Sequence, residues 1–328
     1  MVKTKVYHDR DADLSCLEGR RVAVIGFGSQ GKAQAFNLRD SGIEVVIGLS
    51  SSRSRKRARK DGFECFSVSK AVMVGDIISF LFPDQKHKEV FDNDVAPNLF
   101  PGKTLLFAHG LSVHFGLVKP PDLCDVIMVA PHGPGTLLRQ RYIKKKGVAC
   151  FIGVHSDCSG NAKETALAYA HAIGCTRSGA FETSFEDEAV GDILGEQVAL
   201  CGGLTELLEA AFETLVIGGL SPENAYLECV QQLDLIVDLI KRHGISGMYR
   251  RISHVAEYGS YLNKNRIINE KSRRAMRAVF EEIKKGEFTD KLMKDYNKGF
   301  PDYQKRKKKQ TEHPINKVGA LIRGKIKD

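Results

Sequence analysis

The chain has 328 residues, 42% of them hydrophobic, and a formal net charge of +9. This length exceeds what one compact core usually needs, so two domains are expected. No apolar run is long enough for a transmembrane helix and no apolar signal segment lies near the start, so neither a membrane-spanning nor a secreted protein is expected. Eight scattered cysteines without a C-x-x-C pair predict free thiols in a reducing cytoplasm.

Two basic blocks, Arg53–Lys60 and Lys305–Lys309, account for much of the positive charge. Such blocks can attract anionic small molecules or nucleic acid. Aromatic residues do not alternate with either block, and no nucleic-acid-binding motif accompanies them. We therefore expect solvated surfaces and no nucleic-acid partner.

The first predicted strand, Arg21–Gly26, leads into a glycine-rich turn, and Lys32–Arg39 then has a helical pattern. A strand, a G-x-G-x-x-G turn and a helix together are typical of a dinucleotide-binding domain. The glycines allow a tight turn and a close approach of a pyrophosphate to the helix N-terminus. The alternative is a glycine-rich turn without a ligand. The predicted cofactor-binding residues here are Gly26, Phe27, Gly28, Ser29, Gln30 and Gly31.

The second predicted strand, Glu44–Leu49, has no acidic residue at its end. An NAD site would place Asp or Glu there to hold the ribose 2′-hydroxyl. Hydroxyl groups and a guanidinium instead suit a 2′-phosphate, so NADP(H) is favoured. The residues predicted to contact this phosphate are Ser50, Ser52, Arg53 and Ser54.

Four further apolar runs predict strands, and helical stretches separate several of them: Ile77–Phe82, Thr104–Ala108, Val126–Ala130 and Ala149–Val154. Alternating strands and helices predict a parallel, doubly wound sheet that binds ligands at the carboxyl ends of its strands. The residues that follow three of these strands are therefore candidates for the cofactor edge: Asp84, Gln85, His109 and Gly135. His109 could alternatively be a packed or surface histidine.

After Thr183 the pattern becomes almost entirely helical. The predicted helices are Phe185–Leu200, Leu204–Ile217, Pro222–Arg242, Ile267–Lys285 and Thr289–Asn297. We therefore predict an α/β N-terminal domain of Rossmann type, residues 1–182, followed by an all-α C-terminal domain, residues 183–328.

Asp192 and Glu196 lie four residues apart, so on a helix they share one face. Their apolar neighbours suggest burial, and buried carboxylates need a positive partner. A divalent cation that prefers oxygen ligands, above all Mg²⁺, fits this pair. The alternative is an ordinary solvated helix face.

Taken together, the motifs of the chain resemble those of ketol-acid reductoisomerase (acetohydroxyacid isomeroreductase) of the short, class I type. The resemblance extends over nearly the whole length. The matching stretches are Gly26–Gly31, Asn37–Gly42, Phe107–Gly110, Gly133–Gly135, Gly195–Gln197, Leu200–Gly203, Phe212–Leu215, Leu235–Ile240 and Glu312–Ile315.

This resemblance implies a cytoplasmic enzyme that uses NADPH and two Mg²⁺ ions. The implied reaction converts 2-acetolactate, or 2-aceto-2-hydroxybutyrate, to a 2,3-dihydroxy acid in branched-chain amino acid synthesis, with alkyl migration before hydride transfer. Asp192 and Glu196 would be metal ligands, and Glu196 would also lie near the migrating centre. Glu228 would be a ligand from the partner subunit of a homodimer or larger assembly. Ser253 would touch the substrate, and His109 would line the nicotinamide site.

Several residues depart from the family pattern. Gln232 stands where the family has a second glutamate after Glu228, Gln231 replaces a histidine, and His132 replaces a lysine. An amide oxygen is a poorer Mg²⁺ ligand than a carboxylate, so these changes affect the isomerase half most. Two alternatives therefore remain: a diverged keto-acid reductase with weak or no isomerase activity, and a non-catalytic NADP-binding protein.

Overall fold

A computed structural model describes residues 4–326. The chain forms two compact units, the first ending at Gly191 and the second beginning at Asp192. The first contains a mostly parallel sheet and the second is helical, which confirms the predicted fold class. The domain boundary after residue 182 stays a prediction. None of the helices within residues 4–326 is long and apolar enough to cross a lipid bilayer.

The first unit is built on a nine-stranded sheet with the order β1-β9-β8-β7-β6-β5-β2-β3-β4. Its strands are β1 (Val6–Tyr7), β2 (Arg21–Ile25), β3 (Glu44–Gly48), β4 (Glu64–Phe66), β5 (Ile77–Phe80), β6 (Thr104–Phe107), β7 (Asp125–Pro131), β8 (Cys150–Ser156) and β9 (Ala180–Glu182). Two neighbouring pairs, β7–β8 and β1–β9, are antiparallel. The parallel, doubly wound sheet predicted from the sequence is therefore confirmed for most strands, and β8 departs from it because an apolar run does not encode the direction of its strand.

Helices cover both faces of this sheet. They are α1 (Ser29–Asp40), α2 (Ser52–Lys60), α3 (Val68–Val74), α4 (His87–Val90), α5 (Leu111–His114), α6 (Gly135–Ile143), α7 (Ala162–Ala172) and α8 (Phe185–Leu194). Side chains of β2 alternate between two cores. Val22 and Val24 join a cluster that contains Leu38 of α1, whereas Ile25 joins a cluster that contains Val72 of α3. This alternation is the expected result of a strand buried on both faces.

The second unit is helical throughout, with eight α-helices among its described residues. They are α9 (Gly202–Ile217), α10 (Pro222–Tyr226), α11 (Leu233–Tyr249), α12 (His254–Ile267), α13 (Glu270–Lys284), α14 (Glu287–Asn297), α15 (Pro301–Glu312) and α16 (Pro314–Arg323). Two of the long predicted helices are interrupted. A π-helical turn at Gly195–Leu200 follows α8, and another at Leu227–Gln231 separates α10 from α11.

The helical unit has a small core. Its main buried cluster consists of Phe212, Ala225, Tyr226, Ile315 and Ile322. Large apolar side chains of the same unit stay on the surface, with Ile217 87% and Val255 84% exposed. Among the described residues, this unit exposes more large apolar side chains than its main buried cluster contains.

Candidate functional site

The glycine-rich turn after β2 has a backbone that other residues could not adopt. Gly26 has a φ of +100°, and a Cβ there would overlap the carbonyl oxygen of Leu81. A Cβ on Gly31 would lie 2.5 Å from the carbonyl oxygen of Gly26. Gly28 is the N-cap of α1 and has open space around its Cα. The first amide groups of α1 are thus accessible to an anion, as a dinucleotide pyrophosphate requires.

A second glycine loop, between β7 and α6, lies directly against the first. A Cβ on Gly135 would overlap the carbonyl oxygen of Ser29, so the two backbones touch. The amide Nε2 of Gln30 donates to the carbonyl oxygen of Gly133 at 2.8 Å. A cavity of about 690 Å³ adjoins this junction, and its lining includes Phe27, Lys32, Arg57, Gly135, Thr136 and Arg139.

The residues predicted to hold a 2′-phosphate lie around the start of α2. Ser50 follows β3, and Ser52, Arg53 and Ser54 form the first turn of the helix. The guanidinium of Arg55 donates to the carbonyl oxygens of Leu49 and Ser50, so it shapes the loop. Within residues 4–326, no hydrogen bond or ion pair is recorded for the exposed Arg53 side chain. Its guanidinium can therefore reach a ligand, and Arg57 of the same helix lines the cavity beside the glycine turn.

His109 lies at the carboxyl end of β6, on the predicted cofactor edge. It lines a cavity of about 350 Å³ together with Gly28, Ser29, Gln30 and Asp84. Gln85 follows in the 3-10 turn Asp84–Lys86. The structure thus places the glycine turn, Asp84 and His109 around one cavity.

Glu188 of α8 is a buried carboxylate that the sequence analysis missed. Its side chain is 5% exposed, and Oε2 lies 2.9 Å from Nδ1 of His109. The same oxygen accepts a hydrogen bond from the Gly110 amide at 2.6 Å. The carboxylate oxygen accepts at both contacts, so Nδ1 of His109 is the donor in this geometry. The only sequence signal for Glu188 was its place in the acidic first turn of α8.

His87 is a packed histidine close to the same strand ends. Its Nδ1 lies 2.7 Å from Oγ of Ser112 and its Nε2 lies 2.9 Å from the carbonyl oxygen of Phe82. Burial lowers the pKa of this imidazole, which therefore stays neutral. Nδ1 of His87 lies 3.7 Å from Oδ1 of Asp84, so His87 helps to fix the segment that carries Asp84.

The three predicted metal ligands all belong to the helical unit and all are exposed. Asp192 lies on α8, Glu196 in the first π-helical turn and Glu228 in the second. The expected burial of Asp192 and Glu196 is wrong for the single chain. Val190 and Ile193 are buried, but the two acids are on the solvent-facing side of the same segment.

Both π-helical turns therefore carry a candidate metal ligand. Single π-helical turns inside α-helices occur frequently at functional sites. The first is followed by Gly202 and Gly203, where a Cβ would overlap the carbonyl oxygens of Gln197 and Val198. The glycine pair begins α9 and allows the wide turn to close. Exposed carboxylates are hard oxygen ligands, so this donor set fits Mg²⁺.

Other predicted positions have defined local contacts. Ser253 is the N-cap of α12, where its Oγ accepts from the Ala256 amide at 3.2 Å. Gln232 donates from Nε2 to Oε2 of Glu228 at 3.2 Å. The His132 ring packs edge-on against Phe151, with the ring centres 4.3 Å apart.

A strand, glycine turn and helix with a histidine at a neighbouring strand end define a nicotinamide-dinucleotide oxidoreductase. Comparison with known protein families then identifies the family within this class. Residues 16–179 match the family described as "Acetohydroxy acid isomeroreductase, NADPH-binding domain", and residues 185–328 match "Ketol-acid reductoisomerase, C-terminal domain". The chain therefore belongs to the ketol-acid reductoisomerase family. It is an NAD(P)-dependent oxidoreductase and isomerase of branched-chain amino acid biosynthesis, and neither the diverged keto-acid reductase nor the non-catalytic NADP-binding protein is favoured.

Solved structures support this membership. An NADH-preferring ketol-acid reductoisomerase from an uncultured archean is 40% identical, with a TM-score of 0.95 over 99% of this chain and 100% of that chain. A semialdehyde dehydrogenase NAD-binding protein from Cupriavidus necator is 18% identical, with a TM-score of 0.64 over 81% of this chain and 98% of that chain. A pyrroline-5-carboxylate reductase from Coxiella burnetii is 14% identical, with a TM-score of 0.58 over 81% of this chain and 98% of that chain. The last two share the fold alone.

The backbone contact at Gly135 predicts a selective effect of adding one methyl group. Gly135→Ala should separate the two glycine loops, weaken nicotinamide cofactor binding about tenfold or more and lower Tm by about 5 °C. Gly133→Ala is the matched control, since its Cβ would lie 3.4 Å from the nearest atom, a Leu137 methyl group. Calorimetric titration and thermal melts measure both effects. Equal behaviour of the two variants would refute the proposed tight contact.

Proposed function

We propose that the protein uses NADPH and two Mg²⁺ ions to convert a 2-hydroxy-2-alkyl-3-keto acid, such as 2-acetolactate, to a 2,3-dihydroxy acid. The observation that carries this proposal is the hydrogen bond between His109, which lies beside the glycine turn, and Glu188. Glu188 belongs to α8, the helix that also contains Asp192. When bound, the cations supply Lewis-acid polarisation of the substrate oxygens and the cofactor supplies hydride. Asp192, Glu196 and Glu228 would hold the cations.

The protein's own side chains would orient the substrate and handle protons. Glu188 keeps the His109 ring in one orientation and one tautomer, with the hydrogen on Nδ1. Nε2 of His109 would then exchange a proton with a substrate oxygen. Ser253 would donate its hydroxyl hydrogen to the substrate while its oxygen continues to cap α12.

The choice of NADPH over NADH is proposed from this chain's own residues, because the 40% identical relative is described as NADH-preferring. No acid follows β3, whereas Ser50, Ser52 and Ser54 offer hydroxyl groups. Arg55 is occupied by backbone carbonyls, and Arg53, in the first turn of α2, would pair with a 2′-phosphate.

This proposal predicts tighter binding of NADPH than of NADH. Arg53→Asp should narrow the difference by about 1–3 kcal/mol, since it removes a charge-assisted hydrogen bond and introduces repulsion. Lys60→Asp, on the last turn of the same helix, controls for net charge. Direct titration with both cofactors measures the ratio. Equal or better binding of NADH by the wild type would exclude the NADPH preference.

Gln232 raises the question of how well the second cation binds. Its amide already donates to Glu228 across 3.2 Å, so one Glu228 oxygen accepts from a neutral group. A neutral amide replaces an anion in the shell of a doubly charged ion. We propose that the cation held mainly by Asp192 binds normally and that the other needs high Mg²⁺.

Gln232→Glu should therefore lower the Mg²⁺ concentration needed for conversion of 2-acetolactate. The expected change is about 5- to 150-fold, corresponding to ~1–3 kcal/mol for a restored carboxylate ligand. Reduction of the migrated intermediate, 3-hydroxy-3-methyl-2-ketobutyrate, should improve less. Gln304→Glu makes the same change at an exposed position of α15 and should have little effect. Tight binding of two Mg²⁺ ions by the wild type, unchanged in Gln232→Glu, would mean that the amide is an adequate ligand.

We also propose a homodimer, or a larger assembly built from it, with each active site shared between subunits, in the cytoplasm. Support comes from the small core of the helical unit and its exposed Leu200, Ile217, Leu235 and Val255. Covering such surface by a second copy contributes about 25 cal/mol per Å². The eight free thiols agree with a reducing compartment.

A shared site predicts complementation between two inactive variants. Asp192→Ala mixed with Glu228→Ala should regain activity, because one of the two sites in each heterodimer then has all its ligands. Random pairing would give about a quarter of wild-type activity in a two-fold symmetric dimer. Asp192→Ala mixed with Glu196→Ala is the control and should stay inactive, since both ligands come from one subunit. Heterodimers that form without any recovery would contradict the shared site.

A further inference from the structure

A buried relay of side-chain hydrogen bonds connects the core of the sheet to the second glycine loop. Oγ of Ser79 on β5 lies 3.1 Å from the Tyr169 hydroxyl on α7. That hydroxyl donates to Oε1 of Gln34 at 2.9 Å, and Nε2 of Gln34 reaches Oε1 of Gln30 at 3.1 Å. Nε2 of Gln30 then donates to the Gly133 carbonyl oxygen at 2.8 Å.

The direction of this relay is fixed. Ser79, Gln34 and Tyr169 are completely buried. Burial raises the pKa of Tyr169, so its hydroxyl keeps its proton and remains a donor. The Tyr169 hydrogen goes to Gln34, so Ser79 must donate to the Tyr169 oxygen. Every donor therefore points toward Gly133, and hydrogen bonds in such a chain strengthen one another.

The segment at the end of the relay has few other means of fixing itself. Gly133-Pro134-Gly135 offers no side-chain donor or acceptor, and its backbone nevertheless contacts Ser29 closely. A backbone carbonyl is therefore the group through which the core can hold this loop. A core of Phe and Leu could fill the same space without needing satisfied partners, so the polar chain carries more than packing.

We propose that Tyr169 is a positioning residue for the cofactor site. Acting through Gln34 and Gln30, it holds the Gly133 carbonyl, and with it the start of α6, against the glycine turn. The role rests on the proposed function only in that the two glycine loops bind a nicotinamide dinucleotide.

The test compares Tyr169→Phe with Tyr7→Phe, which removes a hydroxyl bonded to Glu182 at 2.6 Å, away from both loops. Tyr169→Phe should raise the Kd for NADPH and NADH about 3- to 10-fold, since the break of one buried hydrogen bond loosens the loop. Amide hydrogen exchange of residues 132–136 should become faster in the cofactor-free protein. Tyr7→Phe should leave the cofactor Kd and the exchange rate of residues 132–136 within about 1.5-fold of wild type, because distant sites act independently.

A double-mutant cycle separates positioning from general stability. In the Gln34→Met background, where the relay is already broken, Tyr169→Phe should raise the Kd no further, although Tm falls in both backgrounds. An additive change in Kd, or a lower Tm with unchanged Kd and loop exchange, would overturn the proposal. If Tyr169→Phe does not fold, Gln34→Met alone must raise both Kd and loop exchange, or the proposal is wrong. Titration of the wild type with NADPH and NADH separates failure of the positioning role from failure of the proposed function. If the proposed function is wrong, the wild type binds neither cofactor.

Discussion

The contact between two backbones, at Ser29 and Gly135, is the constraint on which the N-terminal domain depends. Because it leaves no space for a Cβ, the start of α6 touches the start of α1. The α1 N-terminus can then remain uncapped by any side chain and still be held in place. An anion-binding helix terminus is thus obtained without a protein group that would have to leave when the ligand arrives.

A second constraint is the buried carboxylate of Glu188. Removing a carboxylate from water is costly unless it is hydrogen bonded, and here one oxygen accepts from both His109 and the Gly110 amide. The histidine is consequently tied to the backbone that follows β6 as well as to α8. Loss of the carboxylate would remove the group that fixes the orientation and tautomer of the His109 ring and the position of the Gly110 loop. These three properties are therefore not independent.

The sequence predicted the features that depend on neighbouring residues. The strand, glycine turn and helix at Arg21–Asp40 are confirmed because their periodicity and glycine spacing are local. The reversed direction of β8 and the partner of Glu188 depend on distant segments, which periodicity does not encode. α12 was missed because its apolar residues, such as Val255, remain exposed and follow no buried stripe. The π-helical turns at Gly195–Leu200 and Leu227–Gln231 were missed because their pattern resembles a continuous helix.

The two domains differ in whether the residues that shape the backbone are also the residues of the candidate site. In the N-terminal domain the same glycines shape the backbone and admit the ligand, so a substitution there alters both. In the helical domain the second π-helical turn ends at Gln231, and Gln232 continues into α11 with ordinary backbone angles. Its hydrogen bond to Glu228 shows that the amide is accommodated without disturbing this turn. Charge at position 232 can therefore change while the fold is kept, so fold and local charge are independent at this position.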